Sequence, residues 1–284
     1  MRARTRRTRL LSGILLLVLL GCTFRSAAAQ VSLSGSLAHH FDVAPGESYE
    51  GVLGLKNRGS EPAVVRIYQT DYRFDAEGRT YYDEPGTLPR SNARWITVSR
   101  SLVTVPAGEE STVLYRISVP TDDRLTGTYW SMIMVEPLLP GDPEAPAPPG
   151  RAPAEEVALG IRQRFRYGVQ VVTEAGGGAK VRLDFADPTL VYREDDRGYT
   201  FQVDLANPGE RLLIPQVWME LYDARGDRIE RLEVEPRRIY PDTSVRVRID
   251  LGPLAHGSYQ ALVVADNKDA SVFAARYTLE LRAP

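Results

Sequence analysis

Cysteine is nearly absent from this chain, with Cys22 the only one in 284 residues. Because Cys22 lies within an N-terminal leader, the rest of the chain has no disulfide and no thiolate chemistry. Gly-x-Ser-x-Gly does not occur, which removes one common serine-nucleophile arrangement. The histidines are His39, His40 and His256. Neighbouring histidines on a strand point to opposite faces, and no acidic cluster has metal-ligand spacing near them, so no metal site is expected. Gly176-Gly177-Gly178 is followed by neither Lys-Ser/Thr nor a helix signal, which excludes a phosphate loop. Asp122-Asp123 and Asp195-Asp196 fall in turn-like stretches and read as solvated loop acids. The expectation is a protein with no catalytic residues, no cofactor and no metal; the alternative that stays open is a secreted hydrolase whose two carboxylates lie far apart in sequence.

Long apolar runs are also lacking, apart from Leu10 to Leu20. Five arginines from Arg2 to Arg9 precede that run and Ala27-Ala28-Ala29 follows it, the layout of a secretory signal over residues 1–29. Its apolar part is too short for an ordinary transmembrane helix. Cleavage after Ala29 removes six arginines and no acid, taking the net charge from −2 to −8. An acidic exported chain argues against nucleic-acid binding, which needs clustered cations. Two readings of Cys22 stay open. Leu19-Leu20-Gly21-Cys22 is similar to a bacterial lipobox, in which Cys22 is lipidated and holds the protein at a membrane. The alternative, cleavage after Ala29, leaves a soluble protein.

Helix signals are scarce beyond residue 30. Short runs of Val, Ile, Tyr, Thr and Leu alternate with polar residues between clusters of Gly, Pro, Asn and Asp, which is the pattern of half-buried strands. Val113, Tyr115, Ile117 and Val119 share one face, as do Val245, Val247 and Ile249. The class is all-β.

An internal repeat sets the architecture. Leu55-Lys56-Asn57-Arg58-Gly59 and Leu205-Ala206-Asn207-Pro208-Gly209 are offset by 150 residues. Hairpin turns at Asp75-Ala76-Glu77-Gly78 and Asp223-Ala224-Arg225-Gly226 follow at 148. Gly127-Thr128-Tyr129 and Gly257-Ser258-Tyr259 come last, at 130. Three landmarks in one order imply two immunoglobulin-like β-sandwiches in tandem, at residues 31–172 and 173–284. The shrinking offset puts roughly twenty extra residues between Thr80 and Ser101. Gly176 to Gly178 reads as a flexible joint. Residues 138–156 hold six prolines and read as an extended loop inside the first sandwich.

Val157 to Val172 is expected to form one continuous strand. Val157, Leu159, Ile161, Phe165, Tyr167, Val169 and Val171 would share a face, with Arg162, Arg164 and Arg166 on the other. Such a strand would be roughly 50 Å long, well beyond the usual ~17–20 Å. Either it is the last strand of the first sandwich, facing its own core, or part of its apolar face is left for a partner.

Several stretches carry a family resemblance. They are Ala44-Pro45-Gly46-Glu47, Leu55-Lys56-Asn57, Trp95-Ile96-Thr97-Val98, Val105-Pro106-Ala107-Gly108-Glu109-Glu110, Val157 to Tyr167, and Leu205-Ala206-Asn207-Pro208. In this order the chain resembles the PapD-like periplasmic chaperones of fimbrial (pilus) assembly. The resemblance implies an exported, periplasmic chaperone that donates a strand to subunits with exposed strand edges, and an outer-membrane usher as a further partner. Val157, Leu159, Ile161 and Phe165 fall at the donor positions. Arg166 aligns with the lysine that anchors a subunit carboxylate, and His40 with the first-strand arginine that assists it. His40 in place of arginine departs from the pattern, as does a loop without alternating hydrophobics. The competing reading is a structural or adhesive module of paired sandwiches, an outer-membrane lipoprotein or cell-surface protein if Cys22 is acylated.

Overall fold

The computed structural model describes residues 31–139, 142–144 and 164–282. Residues 1–30, which include Cys22 and the expected signal, most of the proline-rich loop, and Val157, Leu159 and Ile161 lie outside the described residues. Among the described residues the only helical piece is one short 3-10 turn at Ala93–Trp95, and no helix is long and apolar enough to cross a membrane.

The first sandwich holds β1 (Val31–Ser34), β2 (Ala38–Val43), β3 (Ser48–Asn57), β4 (Ala63–Phe74), β5 (Thr80–Asp83), β6 (Ile96–Val98), β7 (Leu102–Val105), β8 (Glu110–Ser118), β9 (Gly127–Pro137) and β10 (Tyr167–Ala175). One sheet runs β1-β3-β8-β6 and the other β2-β10-β9-β4-β5, with β7 also pairing β4. The first strand therefore changes sheets. β1 pairs antiparallel with β3, the chain turns at Gly35 with φ of 98°, and β2 pairs parallel with β10. A positive φ of this size favours glycine.

The second sandwich holds β11 (Asp184–Arg193), β12 (Gly198–Ala206), β13 (Gln216–Tyr222), β14 (Arg228–Val234), β15 (Ser244–Gly252), β16 (Gly257–Asp266) and β17 (Val272–Leu281). Its sheets run β11-β12-β15 and β14-β13-β16-β17. No named strand pairs across the two sandwiches.

Alternation accounts for both cores. Val113, Tyr115, Ile117 and Val119 are buried in the first, and Val245, Val247 and Ile249 in the second. Burying each such side chain stabilises by about 1.5–3 kcal/mol. The paired landmarks share their chemistry. The Asn57 side-chain amide donates to the Glu61 and Val105 carbonyls, and its oxygen accepts from the Gly59 N–H. Asn207 repeats this with Arg211, Ile239 and Gly209. In the hairpins, Gly78 N–H donates to the Asp75 carbonyl and Gly226 N–H to the Asp223 carbonyl, each at 3.0 Å. Between β5 and β6 the first sandwich carries a segment organised around buried Asp71. Its carboxylate accepts from the N–H groups of Gly86, Thr87 and Leu88 and from the Ser91 hydroxyl.

Two expectations need correction. The unbroken strand to Val172 differs at both ends: in the described residues β10 starts at Tyr167 and continues to Ala175, past the expected domain limit. The ladder fails before Tyr167 because the next position on β9 after Val135 and Glu136 is Pro137, which has no N–H. Of the three glycines read as a joint, Gly176 sits at φ of 62°, where an added Cβ would lie 2.6 Å from the Leu125 carbonyl oxygen. The Gly177 carbonyl accepts from the Thr126 hydroxyl at 3.2 Å.

Candidate functional site

β10 is covered unequally on its two edges. β9 pairs with all nine of its residues, from Tyr167↔Val135 to Ala175↔Gly127. On the other edge β2 begins only at Gln170, whose N–H donates to the Leu37 carbonyl at 2.8 Å. Tyr167 to Val169 therefore have an open edge among the described residues. An open edge presents N–H and C=O groups to an incoming strand.

The faces of β10 divide differently from the sequence expectation. Val169 and Val171 are buried in the core of the first sandwich, and Tyr167 packs against it with its hydroxyl donating to the Val31 carbonyl. The described part of the shared apolar face thus serves the protein's own core, and only Phe165, 37% exposed and just ahead of the strand, is left towards solvent. Val172 points the other way, into a cluster with Trp130, Leu212 and Tyr240.

The start of β10 is fixed by ions that the sequence pattern did not single out. Glu136, at the end of β9, is almost wholly buried and accepts from Arg66 at 2.7 Å and Arg164 at 2.9 Å. Arg164 also bonds Asp142 at 2.6 Å, and Arg66 lies 3.5 Å from Glu144. Burial pushes the Glu136 carboxyl up, but the two guanidiniums prevail and hold it below the usual carboxylate range. Arg164, expected on the face opposite the apolar one, ties the chain entering β10 to the chain leaving β9.

Arg166 and His40 are not brought together. Arg166 is exposed and has no ion pair or hydrogen bond among the described residues. His40 pairs in register with Val172, six residues further along and so about 20 Å from Arg166. Its Nε2 lies 3.9 Å from Asp42 and 4.0 Å from Glu174. Those acids disfavour a second carboxylate there, which counts against His40 as part of a two-residue anchor. His39 turns to the opposite face, stacks on Tyr115 and hydrogen-bonds its hydroxyl. No group of three or more metal-ligating side chains is found among the described residues.

The far end of β10 meets the second sandwich. Trp130 stacks on Tyr240 at 4.8 Å between ring centroids, and the Tyr240 hydroxyl donates to Gln170 at 2.8 Å. The Thr128 hydroxyl donates to Glu174 and accepts from the Leu212 N–H. Burial pushes the Glu174 carboxyl up. Gly127 has φ of 78°, and a Cβ there would meet the Glu210 carbonyl oxygen at 2.1 Å. Beside this junction a cleft of about 500 Å³ is lined by residues including Tyr72, Phe74, Gln170, Arg237, Arg238 and Arg248. Sequence reasoning missed it because its walls come from both halves of the chain.

No family model matches the chain. A curated xylanase/β-glucanase of Ruminococcus flavefaciens is 33% identical over 101 residues, which are 32% of this chain and 12% of that protein. Distant likenesses exist to solved structures of PapD-like fimbrial chaperones. A chaperone–tip adhesin complex of CFA/I fimbriae biogenesis matches at 11% identity and a TM-score of 0.48, over 87% of this chain and 98% of that one. The CsuC–CsuE chaperone–tip subunit complex of Acinetobacter baumannii matches at 13% and 0.41, over 76% and 89%. The E. coli chaperone DraB matches at 15% and 0.38, over 89% and 96%.

Proposed function

We propose that this protein is an exported, chaperone-like binding protein, without catalytic activity, that holds partner polypeptides by strand pairing at the start of β10. One observation carries this reading: among the described residues no strand covers the edge of β10 ahead of Gln170, next to exposed Phe165. Sequence continues upstream from that edge with the alternating Val157, Leu159 and Ile161. Main-chain pairing along such an edge supplies affinity, and alternate side chains supply selectivity. Arg166, an exposed guanidinium without a described partner, stands beside the same edge and is suited to holding a partner's carboxylate.

Co-purification of the exported protein with its partner tests this. Replacing Leu159 and Ile161 together by Ser should remove the partner while the melting temperature of the isolated protein stays the same. Arg166→Glu should do likewise. If the double variant unfolds instead, those side chains belong to the protein's own core and the reading fails.

A further inference from the structure

Among the described residues the second sandwich has an open edge of its own. β17 is the counterpart of β10, since each ends its sandwich and each pairs antiparallel with the strand that starts at a Gly-hydroxyl-Tyr landmark, β16 or β9. In the first sandwich β2 then lies parallel along most of the far edge of β10. In the second, β11 stays with β12 throughout, and no described strand lies along the far edge of β17.

Exposed edges are normally blunted by charge, proline or bulges. β14 carries Arg228, Glu230, Arg231 and Glu233 in seven residues. β11 breaks register between Ala186 and Thr189, with Asp187 at φ of 47° and Pro188 next to it. β17 has neither device: ten consecutive residues pair with β16 without a shift, there is no proline, and its charges are Arg276 and Glu280 alone. These have opposite sign and share the exposed face, where Val272 is 60% exposed.

We propose that β17 is the contact strand of a homodimer, in which two copies pair antiparallel through β17 with Arg276 of each chain opposite Glu280 of the other. The charges select this register. Centring the two-fold axis on Thr278 brings both opposite-charge pairs together, whereas centring it on Arg276 or Glu280 sets like charges face to face. Directly opposed unlike charges stabilise a strand pair and like charges destabilise it. On the inner face the same register sets Tyr277 against Leu279 of the second copy. These residues border a groove of about 270 Å³ between β11 and β17, which Leu190 and Phe201 also line. Each four-stranded sheet then becomes half of an eight-stranded one, a self-complementary two-fold contact.

Sedimentation equilibrium of the full exported chain tests the proposal independently of partner capture by β10. The unaltered chain should show a concentration-dependent dimer. Arg276→Glu and Glu280→Arg, taken singly, should each weaken the dimer by about tenfold, since two attractive pairs become repulsive. The double variant Arg276→Glu/Glu280→Arg should restore it. Circular dichroism melting at a concentration where all four proteins are monomeric should be the same, because both side chains are exposed in the single chain. A strictly monomeric chain overturns the proposal, as does a dimer indifferent to single reversals or a double variant that fails to recover. An edge filled by another segment of the same chain would show as the monomer.

Discussion

Asn57 and Asn207 each stitch a strand end to a carbonyl far away in sequence, Val105 for one and Ile239 for the other, and both are buried. Removing the amide leaves buried backbone groups unsatisfied, at about 1–3 kcal/mol each. Asn57→Ala should therefore lower stability by about 2–3 kcal/mol in urea denaturation. Asn57→Asp should not rescue it at neutral pH, because a carboxylate cannot donate to the Glu61 and Val105 carbonyls. Glu136 gives a pH signature. Its folded-state carboxyl is held low by Arg66 and Arg164, so its contribution is complete above the unfolded value of about 4.3 and is lost as pH falls through the folded one. Glu136→Gln should reduce stability at pH 7 and flatten the acid limb of a stability–pH curve. The two asparagines could be found from sequence because each precedes glycine by two residues at a fixed offset. The Glu136 cluster could not, since Arg66, Asp142 and Arg164 approach it from separate segments and no local pattern links them.

At the scale of the element, β10 shows what alternation can and cannot say. Sequence placed Val169 and Val171 on one face, and they share it. Alternation says which side chains point together but not what lies opposite them, so it could not decide between a guest polypeptide and the protein's own sheet. The strand pairs settle that for the described residues: the sheet holding β3 and β8 supplies the other half of the core. Neighbouring valines should then respond differently. Val171→Ala should destabilise the first sandwich by about 1–2.5 kcal/mol, read as a lower midpoint in denaturant. Val172→Ala should affect mainly the junction with the second sandwich, seen as faster proteolysis between residues 176 and 183 with the core transition little changed. Equal responses would show that the two faces are misassigned. Pro137 ends the ladder on β9, a detail visible in sequence only once β9 and β10 are known to pair.

Across the whole molecule the two sandwiches meet through aromatic packing and main-chain bonds. Trp130 stacks on Tyr240, the Thr128 N–H donates to the Glu210 carbonyl at 2.8 Å, and Ala76 N–H donates to the Ser244 hydroxyl. Trp130→Ala removes the stack and leaves a cavity, at about 3–5 kcal/mol. The expected outcome is a wider spread of inter-sandwich distances in small-angle X-ray scattering. An unchanged scattering profile would show that other contacts set the arrangement. The tandem sandwiches were readable from the repeated landmarks. Their junction was not, because Trp130, Val172, Leu212 and Tyr240 become neighbours only after both halves have folded.

β10 begins at Tyr167, three residues beyond Arg164 of the ionic knot, and runs unbroken past Val172, which lies under Trp130 and Tyr240. Pinned by charge at one end and wedged between aromatic rings at the other, it acts as a stiff beam spanning the first sandwich. A load applied at its first residues is therefore passed on to the junction with the second sandwich, so a change at either end of β10 is felt at the other.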